Sequence, residues 1–470
     1  MATSLSSLVS SGLATNENTT GANGTATFAG LGQGINVAQF VQLAEAGAQA
    51  QITNLQNEQS AVTAQVSAVG TITSSLSALQ NDIFALSDPL GVLASQTATS
   101  SNPGAIAGFA SFSAVPGIHT INVTSLATTS SYYSDPVATS STPLATGDTF
   151  TISAGGKQVA SITTSSSLNT LDEIAAAINS QTSAVQASVV TDANGARLAL
   201  VSAQTGAPGN LSVAGSLDTT GTPANAIAFH LAVPGVNAAL TVDGVPISSP
   251  TNSISGVIQG VTLNLSAPTG GTPVTLTVAQ DTASITAAIN QFVNDYNAAI
   301  TAINAQFQVN SDGSGVQPLE ADGSLRTAQQ QLLDAITASV GGPNNAVNLT
   351  SLGINLNNDG TLAVNSAELA SALSSNFSGV QSFLQTATTG FLPNFETVLN
   401  GLLGPGGALP LDAQGYQATS NDLSQHISDL QAALAVQTQN LTATYAQVNT
   451  TLQELPLLQA QLAQQLATLP

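Results

Sequence analysis

The sequence predicts an α+β multidomain chain with long coiled-coil helices at both termini, a helical leg domain, and antiparallel β head domains inserted between its two halves. Three observations carry this reading. Apolar residues recur every seven positions near both ends, at Leu55, Val62, Val69, Leu76 and Ile83 and again at Ile427, Leu434, Leu441, Val448, Leu455 and Leu462, the interval of a helix with a coiled-coil seam. Between roughly 95 and 280, short runs rich in Val, Ile and Thr are punctuated by Gly, Pro, Asn and Asp, as in an all-β region. From Ala283 the helical period returns. This nesting implies discontinuous domains, with the two ends of the chain lying together.

Taken in order, residues 1 to 27 are rich in Ser, Thr, Asn and Gly and carry too few apolar side chains to offset ordering entropy, so disorder is expected. A long amphipathic helix follows from Asn36, with Ile52, Val66, Ile72, Leu79 and Leu86 filling the intermediate spacings. It should stop at Asp88-Pro89 and Gly91, because proline disfavours helical dihedrals in the residue before it. Strands are expected at 118–123, 149–152 and 261–265, and residues 240–247 form a hairpin whose Asp243-Gly244 pair suits the positive φ angles of a type I′ turn. One helix interrupts, with Leu171, Ile174, Ala175 and Ile178 on one face after a capping-competent Ser/Thr/Asn stretch.

Past Ala283, Ile285, Ile289, Phe292, Val293, Tyr296, Ile300, Ile303 and Phe307 form one helical stripe, and Leu325, Leu332, Leu333 and Ile336 mark a second helix. Residues 354–356 and 362–364 read as a hairpin turning at Asn358-Asp359-Gly360, and Asn365 with Glu368 resembles a capping box. The last helix carries Leu423, Leu430, Tyr445, Leu452 and Leu466 beside its seven-residue line, which runs on to Leu469. Pro456 inside it predicts a kink or break, since proline deletes a backbone hydrogen bond and crowds the preceding turn. The domains expected are therefore 1–45, a disordered start leading into the terminal coiled coil and pairing with 425–470; 46–90 with 281–424, a helical leg; 91–130 with 235–280, a β head; and 131–234, an inserted β-rich outer head.

Composition narrows the function. Charged residues make up 6% of 470 residues, against about 25% in ordinary soluble domains, so Ser, Thr, Asn and Gln must solvate the surface. Three cations, Lys157, Arg197 and Arg326, face 25 carboxylates for a formal charge of −22. Nucleic acid and anionic membrane surfaces need clusters of Lys and Arg and are excluded as partners. The absence of Cys removes disulfides, thiolate metal sites and cysteine nucleophiles together. No apolar run approaches about 18 residues, so no membrane insertion is expected, and the start lacks the basic n-region of a Sec-type leader. The chain is then either cytoplasmic or exported by a route that needs no cleaved signal, and its low charge and absent Cys and Trp fit an extracellular assembly protein better than a cytoplasmic enzyme.

No residue set converges on chemistry. Gly30-Leu31-Gly32-Gln33-Gly34 lacks GxGxxG spacing and a βαβ context, so it reads as the entry to the first helix. His119, His230 and His426 are far apart and in no ligand spacing. Asp172-Glu173 opens a helix, where acids meet the dipole, and Asp192, Asp243 and Asp359 lie in turns. No catalytic residue, cofactor or metal is expected. The candidate site is an assembly interface along the coiled-coil positions Leu55, Val62, Val69, Leu76, Ile83, Ile427, Leu434, Leu441, Val448, Leu455 and Leu462.

Several segments resemble a known family. Residues 30–36 before the first heptad helix, then Val242-Asp243-Gly244-Val245, Thr251-Asn252-Ser253-Ile254, the run 258–263, and Phe292-Val293-Asn294-Asp295-Tyr296-Asn297 are similar, in order and spacing, to the bacterial flagellar filament cap family, flagellar hook-associated protein 2. Asp322-Gly323-Ser324-Leu325-Arg326 and Leu352-Gly353-Ile354 followed by Gly360-Thr361-Leu362 extend the likeness, while residues 189–207 resemble the insertion module of flagellins and hook proteins. The resemblance implies a non-enzymatic protein that forms a homo-oligomeric ring at the filament tip, retains exported flagellin and promotes its polymerisation. It further implies secretion through the flagellar export apparatus, contact with hook-associated proteins at the hook-filament junction, and an export chaperone on the C-terminal helix. A hook-filament junction protein and an extracellular surface adhesin are the alternatives, with a carboxylate hydrolase behind them.

Overall fold

The computed structural model describes residues 37–221, 224–308, 317–340 and 348–466. The expected disorder of 1–27, the glycine run 30–34 and Leu469 lie outside them. Helix α1 (Val37–Ser87) leads into the β region. It ends where expected: Asp88 turns back to accept a hydrogen bond from the Leu90 amide at 2.9 Å, and Pro89 lies between them. Its many hydroxyl residues need no charged neighbours, because Thr53, Ser60 and Thr63 each donate to the backbone carbonyl four residues earlier. That is how a helix of this length stays solvated with so few ions.

The inner head is a sandwich of two antiparallel sheets. Strands β1 (Gln96–Ser100), β17 (Val274–Gln280), β3 (Gly117–Ser125), β13 (Ala238–Val242) and β14 (Val245–Ser249) form one sheet in that order; β15 (Ser253–Ile258), β16 (Val261–Leu265) and β2 (Ile106–Ala110) form the other. Alternation sets the packing: Ile121, Val123, Leu240, Leu263, Leu276 and Val278 point between the sheets and are buried. Asp243 (φ 51°) and Gly244 (φ 82°) make the β13–β14 turn, both positive as the type I′ geometry requires.

Between β3 and β13 the chain builds the outer head. Strands β12 (Phe229–Val233), β4 (Thr129–Ser134), β8 (Gly195–Thr205) and β7 (Val185–Asp192) form a four-stranded sheet; β6 (Lys157–Thr163), β5 (Thr149–Ala154) and β9 (Leu211–Ala214) form a second, and β10 (Leu217–Asp218) pairs with β11 (Ala226–Ile227). Helix α2 (Leu171–Gln181) covers them, opened by a capping box in which Thr170 and Glu173 satisfy each other's backbone amides. Phe150, Ile174, Ile178, Leu198 and Leu200 form a core separate from that of the inner head.

The chain then returns to helices: α3 (Thr282–Ala305), α4 (Gly323–Thr337), the hairpin β18 (Ile354–Leu356) and β19 (Leu362–Val364), α5 (Ser366–Ser375), α6 (Phe377–Gln385), α7 (Phe391–Leu403) and α8 (Ala408–Leu466). Asn365 caps α5 through the amides of Ala367 and Glu368. The C-terminal half of α1 packs into this third core with α3 and α7, around an aromatic cluster in which Phe292 meets Phe391 and Phe395 edge-on, each at 5.9 Å. Of the kink or break expected at Pro456, the break is not present: α8 continues through it to Leu466. Proline removes one amide donor, and the intrahelical bonds on either side carry the helix across.

Candidate assembly interfaces

Helices α1 and α8 run antiparallel. Midway along α1 both helices bond the 317–322 segment, the Gln65 amide donating to the Pro318 carbonyl and the Tyr416 hydroxyl to the Asp322 carboxylate; farther down they bond each other directly, the Thr438 hydroxyl donating to the Glu45 carboxylate. Val41, Ile52 and Val62 on α1 and Leu423 and Ile427 on α8 are buried.

The structure divides the coiled-coil positions into three groups. Val69, Leu76 and Ile83 belong to the helical core with α3 and α7. Leu55, Val62, Ile427, Leu434 and Leu441 are buried or half-buried along the α1/α8 seam. Val448, Leu455 and Leu462 are exposed. A straight helix turns about 100° per residue, so a seven-residue interval falls about 20° short of two turns and the line drifts off the contact face. The facing stripe instead runs Leu434, Thr438, Leu441, Tyr445, Leu452, taking extra four-residue steps. Beyond the point opposite Val37, α8 has no described partner helix, and Leu457 and Leu458 are exposed there as well.

Residues 322–326 act as a bracket between α4 and α8. The Asp322 carboxylate caps α4 through the amides of Ser324 at 2.9 Å and Leu325 at 3.0 Å, and accepts from the Tyr416 hydroxyl at 2.8 Å. Burial, then the bond to Asp322 and its charge, push the Tyr416 phenol up to about 12. Arg326 lies over the Phe307 ring at 4.7 Å and donates to the Glu320 carbonyl at 3.0 Å. Where α1 crosses α3, Asp82 faces Asp295, and burial followed by the hydrogen bond and charge of Asp295 raises the Asp82 carboxyl to about 7.

The three histidines share no site. His119 Nδ1 lies 2.8 Å from Asp243 Oδ2, joining β3 to the β13–β14 turn, and His230 Nε2 lies 2.8 Å from Asp135 Oδ1 in the outer head. The histidine bond, then a backbone amide, holds each of these aspartates below the usual carboxylate range. His426 is exposed on α8. Asp192 pairs with Arg197 at 3.7 Å, Glu173 serves the α2 cap, and Asp359 holds Thr361 in the β18–β19 turn. Among the described residues no group of three or more His, Asp or Glu could hold a metal ion, and no helix is long and apolar enough to cross a membrane.

A further surface went unread in the sequence. The end of β2, the loop to β3 and the start of β3 expose Phe109 (60%), Phe112 (54%), Val115 (57%) and Ile118 (72%). Alternation could have revealed two of them, since the neighbours Gly108 and His119 occupy the inward face and leave Phe109 and Ile118 pointing out.

Comparison with known proteins agrees with this architecture. The chain matches the description "Flagellar hook-associated protein 2 N-terminus" over residues 33–130 and "Flagellar hook-associated protein 2 C-terminus" over 235–456, with "Flagellin hook IN motif" over 149–204. It is 32% identical to the B-type flagellar hook-associated protein 2 of Pseudomonas aeruginosa, covering 87% of this chain and 90% of that one. It is 29% identical to the flagellar hook-associated protein 2 of Escherichia coli K12, covering 84% and 88%. Among solved structures, the D1-D2-D3 domains of the flagellar cap protein FliD from Escherichia coli superpose with a TM-score of 0.58 at 30% identity, covering 74% of this chain and 99% of that one.

Proposed function

The chain belongs to the flagellar hook-associated protein 2 family, and from that premise we propose that it caps the bacterial flagellar filament as a ring of copies at the tip. In this reading the heads make the ring, and the α1/α8 legs reach down into the growing filament, where they retain exported flagellin until it folds into place. The observation that carries it is the end of α8: Val448, Leu455, Leu457, Leu458 and Leu462 are exposed in one subunit, and a single acid, Glu454, interrupts the stretch 446–466. An apolar surface of that breadth belongs in a helical bundle. Of the leg positions read from the sequence, Val69, Leu76 and Ile83 serve the helical core, Leu55, Val62, Ile427, Leu434 and Leu441 a seam within the subunit, and Val448, Leu455 and Leu462 a seam made on assembly.

Capping is a positional task, so the protein works by geometry and needs no chemical step or cofactor. Export through the flagellar apparatus, contact with the hook-associated proteins at the junction and a chaperone on α8 complete the proposal. Deleting the gene tests it: hooks should still assemble, and flagellin should appear as monomer in the medium. Normal-length filaments on the deletion strain would refute the reading.

A further inference from the structure

Arg326 is the one Lys or Arg outside the outer head, since Lys157 and Arg197 both lie between 131 and 234. Its surroundings are acidic: Glu320, Asp322 and Asp334 stand within eight residues of it in the sequence. A guanidinium so placed gains most by joining a carboxylate. Arg326 does not. Among the described residues the ion pairs are His119 with Asp243, Arg197 with Asp192, and His230 with Asp135. Its guanidinium instead lies over the Phe307 ring at 4.7 Å and donates to the backbone carbonyl of Glu320 at 3.0 Å. One face and one donor are thus fixed, and a planar fork with five N–H groups is held in a preset orientation.

That fork borders a cleft of about 470 Å³ between the end of α3, α4 and the β18–β19 turn, a size within the range of sites that enclose a small ligand. Ile300, Phe307 and Leu333 give it an apolar floor. Gly360 lets the turn settle there, because its φ is 84° and a Cβ would stand 3.1 Å from Leu333. The amides above the floor are tied in series: Gln329 donates to Asn304 Oδ1, and Asn304 donates to the Asp359 carbonyl at 2.7 Å. Negative groups at the margin are already engaged. The Asp359 carboxylate accepts from the amide and hydroxyl of Thr361. Near the end of α3, the carbonyls of Ile303 and Asn304 accept from the amides of Gln306 and Phe307, which blunts the negative end of that helix.

Charge and shape together select the occupant. One guanidinium, with the other two cations of the chain in the outer head, matches the single charge of a carboxylate better than the double charge of a phosphoryl group. A free anion is also repelled by the formal −22 of the chain, so charge alone holds it poorly. A carboxylate carried on a peptide adds apolar contact with the floor, and that burial offsets the repulsion.

We propose that this cleft docks an acidic segment of a partner protein, with a glutamate stem laid against Leu333 and its carboxylate accepting from Arg326. The inference goes beyond the capping reading and stands without it. The probe is the blocked peptide acetyl-Leu-Glu-Leu-amide, compared with acetyl-Leu-Gln-Leu-amide by saturation-transfer NMR titration on the full chain. The glutamate peptide should bind about tenfold more tightly, the difference expected of hydrogen bonding to a charged group. Arg326→Gln should bring both peptides to the same weak binding, while Arg326→Lys, which keeps the charge without the fork, should retain a smaller preference for glutamate. Both replace an exposed side chain, so the thermal transition should stay that of the wild type. Phe307→Leu keeps the floor apolar but removes the ring under the guanidinium, and should weaken the glutamate peptide alone. A wild-type chain that prefers neither peptide, or a preference that survives Arg326→Gln, would overturn the proposal. Displacement of the peptide by inorganic phosphate at a lower concentration than by acetate would overturn it as well.

Discussion

Thr438 on α8 donates its hydroxyl to the carboxylate of Glu45 on α1, across a sequence separation of 393 residues. That bond sets which residues of the two legs stand opposite each other, and so where the pairing runs out. Leu441 still faces α1, whereas Val448, one heptad later, has turned away and is exposed.

The two positions should therefore respond differently. Leu441→Asp places a charge in the α1/α8 seam and should loosen the legs of the isolated subunit by about 1–3 kcal/mol, read as lost hydrogen-exchange protection over 430–452. Val448→Asp should leave that protection unchanged and impair only incorporation at the tip. Equal loss of protection in both would show that the seam does not drift as described.

Asp82 makes the helical domain sensitive to pH. Its carboxyl is raised from 3.8 to about 7 in the folded chain, so between those values the native state holds a proton that the unfolded state does not. Stability from this group is present at low pH and is lost as pH rises through about 7. After allowance for solvent screening the effect is about 1–2 kcal/mol. Asp82→Asn should raise the melting temperature at pH 8 and flatten its change between pH 5 and pH 8, as followed by calorimetry. An unaltered pH profile would count against the carboxylate pairing with Asp295.

Two glycines in the inner head separate strain from crowding. Both Gly256 (φ 80°) and Gly260 (φ 71°) hold positive φ, yet a Cβ on Gly256 meets open space, while one on Gly260 meets Ala114. Gly256→Ala should cost about 1 kcal/mol, and Gly260→Ala about 2–4 kcal/mol with displacement of the loop between β2 and β3. Thermal unfolding of the two variants checks the order, and an equal cost would mean that the loop yields easily.

Local signals carried much of this fold. The Asp243-Gly244 turn, the Thr170/Glu173 cap and the stop at Asp88-Pro89 each depend on residues within four positions of one another, so their chemistry is visible in the string. The helical stripe from Ile285 to Ile303 is legible for the same reason. What was not legible depends on distant partners. Seven-residue spacing marks Val69, Val62 and Val448 alike, yet the first packs on α3 and α7, the second lies buried on the α8 side, and the third is exposed with no partner helix among the described residues. Helical drift and the length of the opposing helix decide this, and neither is a property of the repeat. The bond between His119 and Asp243 joins residues 124 positions apart, and Phe109, Phe112, Val115 and Ile118 become one surface only once the two sheets are placed back to back.

The central claim, a cap at the filament tip, is tested most directly by electron microscopy of intact filaments with this protein labelled. One cluster of label at the distal end of each filament, in a strain whose motility the labelled protein restores, is the result expected. Label at the hook-filament junction or along the filament shaft, with bare tips, would contradict it.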